Sequence, residues 1–185
     1  MARINDFMTK IDLSELREYI MRNGTTVQHR RGSDLCRKGE VCRNVGIVIS
    51  GYFKYTAIAS DGEECVTGFS FKDEIVTDYV CSFLFNRPSF TSITAGADAT
   101  VLQVPISAIR EHLKEHHPGF VAETSSVLLR EAYSRYIDLH TLTPEERYNE
   151  LCKRDKCDLR EVALQEIASF LTISRRQLHR IRNGR

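Results

Sequence analysis

Hydrophobic positions change their period twice along this chain. Over residues 4–21, apolar Ile11, Leu13, Leu16, Tyr19 and Ile20 stand among charges at helical spacing, and Asn23-Gly24 closes the segment. From residue 25 to 105 the pattern becomes one of short β-branched and aromatic runs, at 25–29, 34–37, 45–50, 52–59, 64–71, 89–95 and 100–104. Turn-forming stretches divide them: Arg31-Gly32-Ser33, Lys38-Gly39-Glu40, Ser50-Gly51 and Ser60-Asp61-Gly62-Glu63. Short strands so spaced, with polar outer positions, predict an antiparallel roll or barrel.

After Pro105 the helical period returns. Residues 106–116 predict one short helix, and 118–142 a long one with Pro118 at its start, where the missing N–H is tolerated. Its apolar Val121, Leu128, Ala132, Tyr136 and Leu139 recur at the spacing of a seam that faces another helix. Such a stripe could lie on the barrel surface within one chain, but a helix of about 25 residues would span roughly 40 Å, longer than a small barrel is wide, which favours self-association. Thr143-Pro144-Glu145-Glu146 then starts a new helix: Thr as N-cap, Pro at the first helical position, Glu three residues on in a capping box.

The last twenty-two residues carry the most specific pattern. Ile167, Ala168 and Leu171 share one face of a short helix, and Leu178 and Ile181 repeat the apolar spacing on a second, which Ser174 is suited to cap. Only Thr172 and Ile173 separate the two patterns, so the helices meet at a sharp angle as a helix-turn-helix. Arg175, Arg176, Gln177, His179, Arg180 and Arg182 point away from the Leu178/Ile181 stripe. They are donors of the type that meets phosphate oxygens and guanine edges in a major groove. A charge run is usually a solvated face, but solvation alone does not explain a short turn, two apolar stripes and an arginine-rich second helix together. Thr172 stands where many such units have glycine, which predicts an altered turn or local strain.

Charge sharpens this picture. The whole chain is formally +1, yet from Leu164 onward five arginines face one carboxylate, Glu166. The chain stops three residues after Arg182, so a wing hairpin beyond the second helix is expected to be missing. No run of eighteen apolar residues occurs, and the first ten residues lack the apolar core of a signal peptide; cytoplasmic residence without a membrane partner is expected. Six cysteines, Cys36, Cys42, Cys65, Cys81, Cys152 and Cys157, lack a C-x-x-C and read as free thiols. Neither Cys152 with Cys157 nor His116-His117 makes a metal site at these spacings, so no metal is predicted. Nor is there a nucleophile elbow, a phosphate-cradling glycine loop or a zinc signature, and an enzyme is not expected.

The fold class is therefore α+β: an N-terminal antiparallel β-roll of the jelly-roll kind with flanking helices, a long dimerisation helix and a small helix-turn-helix domain. The corresponding domains are 1–117, 118–142 and 143–185. This arrangement resembles the bacterial CRP/FNR family of transcription regulators. The residues that carry the resemblance are Lys38-Gly39-Glu40, Ile49-Ser50-Gly51-Tyr52, Asp61-Gly62-Glu63, Thr143-Pro144-Glu145-Glu146-Arg147-Tyr148 and, above all, Glu166-Ile167-Ala168-Ser169-Phe170-Leu171 with Leu178-His179-Arg180-Ile181-Arg182. The resemblance implies a homodimer on double-stranded DNA, a small-molecule effector in the roll that reorients the reading helices, and a contact with RNA polymerase. It places Arg175, Arg176 and Arg180 at base- and phosphate-contacting positions and Ser174 at the cap.

At the effector site the sequence departs from the family. Cyclic-nucleotide-binding members keep Gly-Glu after a strand, then Arg followed by Ser or Thr for the cyclic phosphate. Here the region reads Phe71-Lys72-Asp73-Glu74-Ile75-Val76-Thr77-Asp78-Tyr79, with Arg87-Pro88-Ser89 later. Phe71, Asp78, Tyr79, Arg87 and Ser89 are the residues assigned to an effector pocket. No Gly-Glu is present, Pro88 removes a backbone donor, and the carboxylates would repel a phosphate, so binding of cyclic AMP in the usual way is not expected. Phe69, Phe71, Tyr79, Phe83, Phe85 and Phe90 are expected mainly in the core. The alternative function is a cyclic-nucleotide-like sensor or interaction module that does not read DNA.

Overall fold

The computed structural model describes residues 5–154 and 158–184. The chain forms two compact units, one of Asp12–Val121 and one that combines residues up to Ile11 with those from Ala122 onward.

In the first unit, helix α1 (Ser14–Asn23) precedes eight strands: β1 (Thr25–His29), β2 (Asp34–Cys36), β3 (Asn44–Ser50), β4 (Phe53–Ile58), β5 (Glu64–Ser70), β6 (Ile75–Val76), β7 (Ser92–Ala95) and β8 (Ala99–Pro105). Helix α2 (Ile106–His116) follows. The strands form two four-stranded antiparallel sheets, ordered β1-β8-β3-β6 and β2-β7-β4-β5. This is the predicted roll. Val101 of β8 lies opposite Val27 on one side and Val48 on the other. Val48, Phe53, Val76, Ile93 and Val101 are fully buried, and Ile20 of α1 and Ile109 of α2 join the same core. Burying each such side chain is worth roughly 1.5–3 kcal/mol, which is what commits the alternating strands to one register. Gly51 turns the chain between β3 and β4 at φ 72°, and a Cβ there would lie 2.4 Å from the Asp98 carbonyl oxygen.

Two strand predictions need correction. Residues 89–91 precede β7 instead of belonging to it: Ser89 donates its N–H to Glu40 and accepts from Gly39, so its backbone is bonded to the β2–β3 connection. The two-residue β6 was missed because no periodicity shows over so short a run.

The second unit contains a 3-10 turn at Asp6–Lys10, most of α3 (Phe120–Thr141), α4 (Pro144–Arg154), a 3-10 turn at Asp158–Arg160, α5 (Leu164–Phe170) and α6 (Arg175–Arg182). The long helix starts at Phe120 and not at Pro118. The chain first closes a turn in which the Phe120 N–H donates to the His117 carbonyl at 2.9 Å. The capping box at α4 is present as predicted, with Thr143 N–H donating to Glu146 Oε2 at 2.8 Å and Glu146 N–H to Thr143 Oγ1 at 3.3 Å. Those bonds hold the Glu146 carboxyl below the usual carboxylate range. Among the described residues, no helix is long and apolar enough to cross a membrane.

Candidate functional site

Helices α5 and α6 are held together by a small apolar core of Val162, Ile167, Ala168, Leu171 and Leu178, all buried. Between them the backbone makes a tight C-terminal cap. Thr172 N–H donates to Ser169 and Ile173 N–H to Ala168, at 2.9 and 3.0 Å, with Thr172 in the left-handed region at φ 56°. This is the Schellman pattern, which usually employs glycine at the left-handed position. The strain expected of Thr172 is therefore located. Its side chain turns back to donate from Oγ1 to the Leu171 carbonyl at 2.6 Å.

Helix α6 opens on a complete capping box. Gln177 N–H donates to Ser174 Oγ at 3.1 Å, and Ser174 N–H donates to Gln177 Oε1 at 2.9 Å. Arg175, Arg176, His179, Arg180 and Arg182 are exposed, and the helix itself holds no carboxylate. Gln177 is half-buried, and its side chain belongs to the cap as well as to the polar face. Asn183 Nδ2 sits 3.1 Å from His179 Nδ1. Arg175, Arg176, His179 and Arg180 line one shallow concavity with Leu164 and Leu178. The arrangement is a cationic comb on a helix anchored by buried Leu178 and a capped first turn.

In the roll, the residues assigned to an effector pocket take separate structural roles. Phe71 is buried, with its ring centroid 5.6 Å from that of Phe69 and 5.9 Å from that of Tyr52. Asp78 is buried and accepts from both the N–H and Oγ of Ser82, which caps the single π-helical turn Tyr79–Phe83. Tyr79 stacks on Phe83 and donates from its hydroxyl to the Val121 carbonyl at 3.2 Å. Arg87 is exposed, whereas Ser89 is buried and its Oγ accepts from Thr91 N–H. Of the other aromatics expected in the core, Phe69 and Phe83 are buried, but Phe85 and Phe90 are exposed.

The turn after β5 holds what the sequence concealed. Asp73 adopts φ 68°, the conformation that glycine would supply, and Glu74 beside it is buried with Oε2 accepting from Phe71 N–H at 2.9 Å. Arg17 of α1 donates to the Asp73 carbonyl at 2.6 Å. An acidic pair thus makes this turn, and the signal that could have revealed it is Asp73-Glu74 shortly after the β5 strand.

The cyclic nucleotide-binding domain family matches residues 26–116. FixK2 from Bradyrhizobium japonicum is similar over 87% of this chain and 83% of its own, at 17% identity and a TM-score of 0.73. The c-di-GMP responsive global regulator CLP from Xanthomonas campestris is similar over 94% and 91%, at 16% identity and a TM-score of 0.67. Residues 26–116 thus match a cyclic nucleotide-binding domain, and the chain shares its fold with these solved structures. The catabolite activator protein of Thermus thermophilus shares this fold over 96% of the present chain and 85% of its own, at 15% identity and a TM-score of 0.57. None of the curated proteins matches the chain.

On the long helix, Val121, Ala132, Tyr136 and Leu139 are exposed. Leu128 is half-buried. The most exposed apolar residue of α3 is its neighbour Leu129, at 72%, followed by Tyr133 at 63%. Leu129, Tyr133 and Tyr136, four and three residues apart, thus extend the exposed apolar surface beyond the residues read in the sequence.

The five described cysteines are free thiols. Cys36 and Cys42 are buried, with thiols that donate to the backbone carbonyls of Arg37 and Glu40 and of Asn44; burial first, then the neighbouring Cys42, pushes the Cys36 thiol up to about 12. Cys81 is buried, Cys65 exposed and Cys152 half-buried beside Tyr148. Cys157 lies outside the described residues. Among the described residues, no group of three or more His, Cys, Asp or Glu side chains could hold a metal ion.

Proposed function

We propose that the chain is a cytoplasmic, homodimeric transcription regulator that binds a near-palindromic DNA duplex through Ser174, Arg175, Arg176, Gln177, His179, Arg180 and Arg182. The observation that carries this reading is α6 itself: a doubly capped helix, anchored by buried Leu178, that presents four exposed arginines and no carboxylate. Such a helix fits a major groove, with the first-turn groups positioned for phosphate and base edges. Pairing of two copies through the apolar face of α3 would present two reading helices to half-sites about one helical turn apart. In that arrangement residues 1–117 sense, 118–142 connect and 143–185 read.

The effector of the roll is not bound in the manner of cyclic AMP. Three observations support this: Asp73 puts a carboxylate on the turn where the family keeps glycine, Glu74 already accepts from Phe71 N–H, and Ser89 Oγ is engaged by Thr91 N–H. Arg87 is followed by Pro88, which offers no backbone donor.

The test is DNA selection from a random pool, followed by affinity measurement on the selected duplex across a salt series. Specific, strongly salt-dependent binding that is lost on removing residues 164–185 is expected. Equal affinity for selected and scrambled duplexes would instead leave the chain as a sensor module without sequence reading. Titration with cyclic AMP completes the test: a rise in melting temperature at micromolar nucleotide would overturn the effector assignment.

A further inference from the structure

Residues 5–11 belong to the compact unit that contains α5 and α6, although the chain passes from them directly into α1. Their Asp6–Lys10 turn is a 3-10 helix of five residues, too short to be stable by itself. What orders it is burial. Phe7 and Asn5 are each only 8% exposed. Both line a cavity walled by Leu139 of α3, Leu142 just past it, Leu151 of α4, and Phe170 and Leu171 at the end of α5.

This cavity is the joint of the unit. Arg147 of α4 donates to the carbonyls of Leu142 and Leu171, and the guanidinium of Arg135 lies 4.3 Å from the centroid of the Phe170 ring. Leu171 immediately precedes the left-handed Thr172 that aims α6. Phe7 therefore sits where the long helix, the helix after it and the turn into the reading helix converge. An apolar ring wedged among three elements restricts their rocking, because a packed interior has few alternative arrangements.

We propose that residues 5–11 are an intramolecular strap: Phe7 locks α4 and α5 onto the C-terminal half of α3 and so fixes the angle at which α6 is presented. The contact joins residues far apart in sequence through very few buried side chains, which places it at the readily opened end of the local-stability range. Release of the strap loosens the reading helices without unfolding the roll. The consequence for DNA rests on the function proposed above; the mechanical claim does not.

The experiment compares the full chain with Phe7→Ala and Phe7→Leu by hydrogen exchange and by affinity for the selected duplex. In Phe7→Ala, amides of α4 and α5 are expected to exchange about tenfold faster while those of β3 and β8 are unchanged, with operator affinity reduced several-fold. Phe7→Leu, which refills most of the cavity, is expected to restore both. Unchanged exchange in α4 and α5, or acceleration spread equally over β3 and β8, would overturn the strap. If the exchange result holds while the unaltered chain binds no DNA, the strap stands and the regulatory reading fails.

Discussion

Arg147 donates from Nε to the carbonyl of Leu171 at 3.2 Å, and the same guanidinium reaches Leu142 through Nη1 at 2.8 Å. One planar fork thus satisfies a carbonyl just past α3 and another at the C-terminal end of α5, groups that a helix end leaves without intrahelical donors. Arg147→Ala is expected to lower stability by about 1–2 kcal/mol, read as a shift of the urea midpoint. Arg147→Lys should recover only part of it, because an ammonium cannot span two carbonyls in a fixed geometry.

Thr172 holds a left-handed conformation that costs a β-branched residue roughly 1–2 kcal/mol. Thr172→Gly relieves that strain but adds freedom to the unfolded chain, worth roughly 0.5–1 kcal/mol in the opposite direction. A net gain of up to about 1 kcal/mol is expected in denaturant unfolding. A loss would mean that the Oγ1 bond to Leu171 outweighs the backbone strain.

Ser174→Ala removes the acceptor for Gln177 N–H and should cost about 1 kcal/mol, while Ser174→Asp, which can cap in the same way, should cost far less. Circular dichroism through thermal unfolding reads the difference. Operator affinity is expected to fall with Ser174→Ala, since the first turn of α6 then frays.

Tyr55 lies on β4 with its hydroxyl in the interior, where it donates to the Thr77 carbonyl at 3.1 Å and meets Ser70 Oγ at 3.2 Å. Burial outweighs these bonds and pushes its pKa up to about 12, from an ordinary 10. The neutral phenol is favoured in the folded state, so the stability it provides is intact below about pH 10 and is lost as pH rises toward 12. Melting temperature should fall over that interval, and Tyr55→Phe should flatten this part of the decline.

Arg180→Ala is expected to weaken binding to the selected duplex by roughly 1–3 kcal/mol if Arg180 reads a guanine, and to relax preference at one base position. A uniform loss across all sequences, with a shallower salt slope, would make Arg180 a phosphate contact instead.

The roll was legible because its strands are short, alternate cleanly and end at strong turn formers. Residues 25–29 and 106–116 form their predicted elements at the same bounds. The capping box at Thr143 and the cap at Ser174 were legible for a related reason: each requires particular side chains at fixed offsets and acts within one turn. What periodicity could not show depends on distant partners. Leu128 and Leu129 are adjacent, and only the packing around α3 decides which is covered. The Asp73 turn was hidden because its conformation is imposed by tertiary bonds to Val48 and Arg17 and not by a glycine. The docking of Phe7 lay beyond any local pattern, since its partners stand more than a hundred residues away.

The box that closes the first turn of α6 also narrows what Gln177 can say to a neighbour. With one lone pair of its carbonyl oxygen committed to the Ser174 N–H and the side chain held against the cap, the amide offers outward its NH2 more readily than its oxygen. A glutamine with both edges free can grip adenine by N6 and N7 together; one tethered in this way favours acceptors, such as N7 or O6 of guanine, O4 of thymine or a phosphate oxygen. The local bond that starts the helix therefore biases its vocabulary before any duplex arrives.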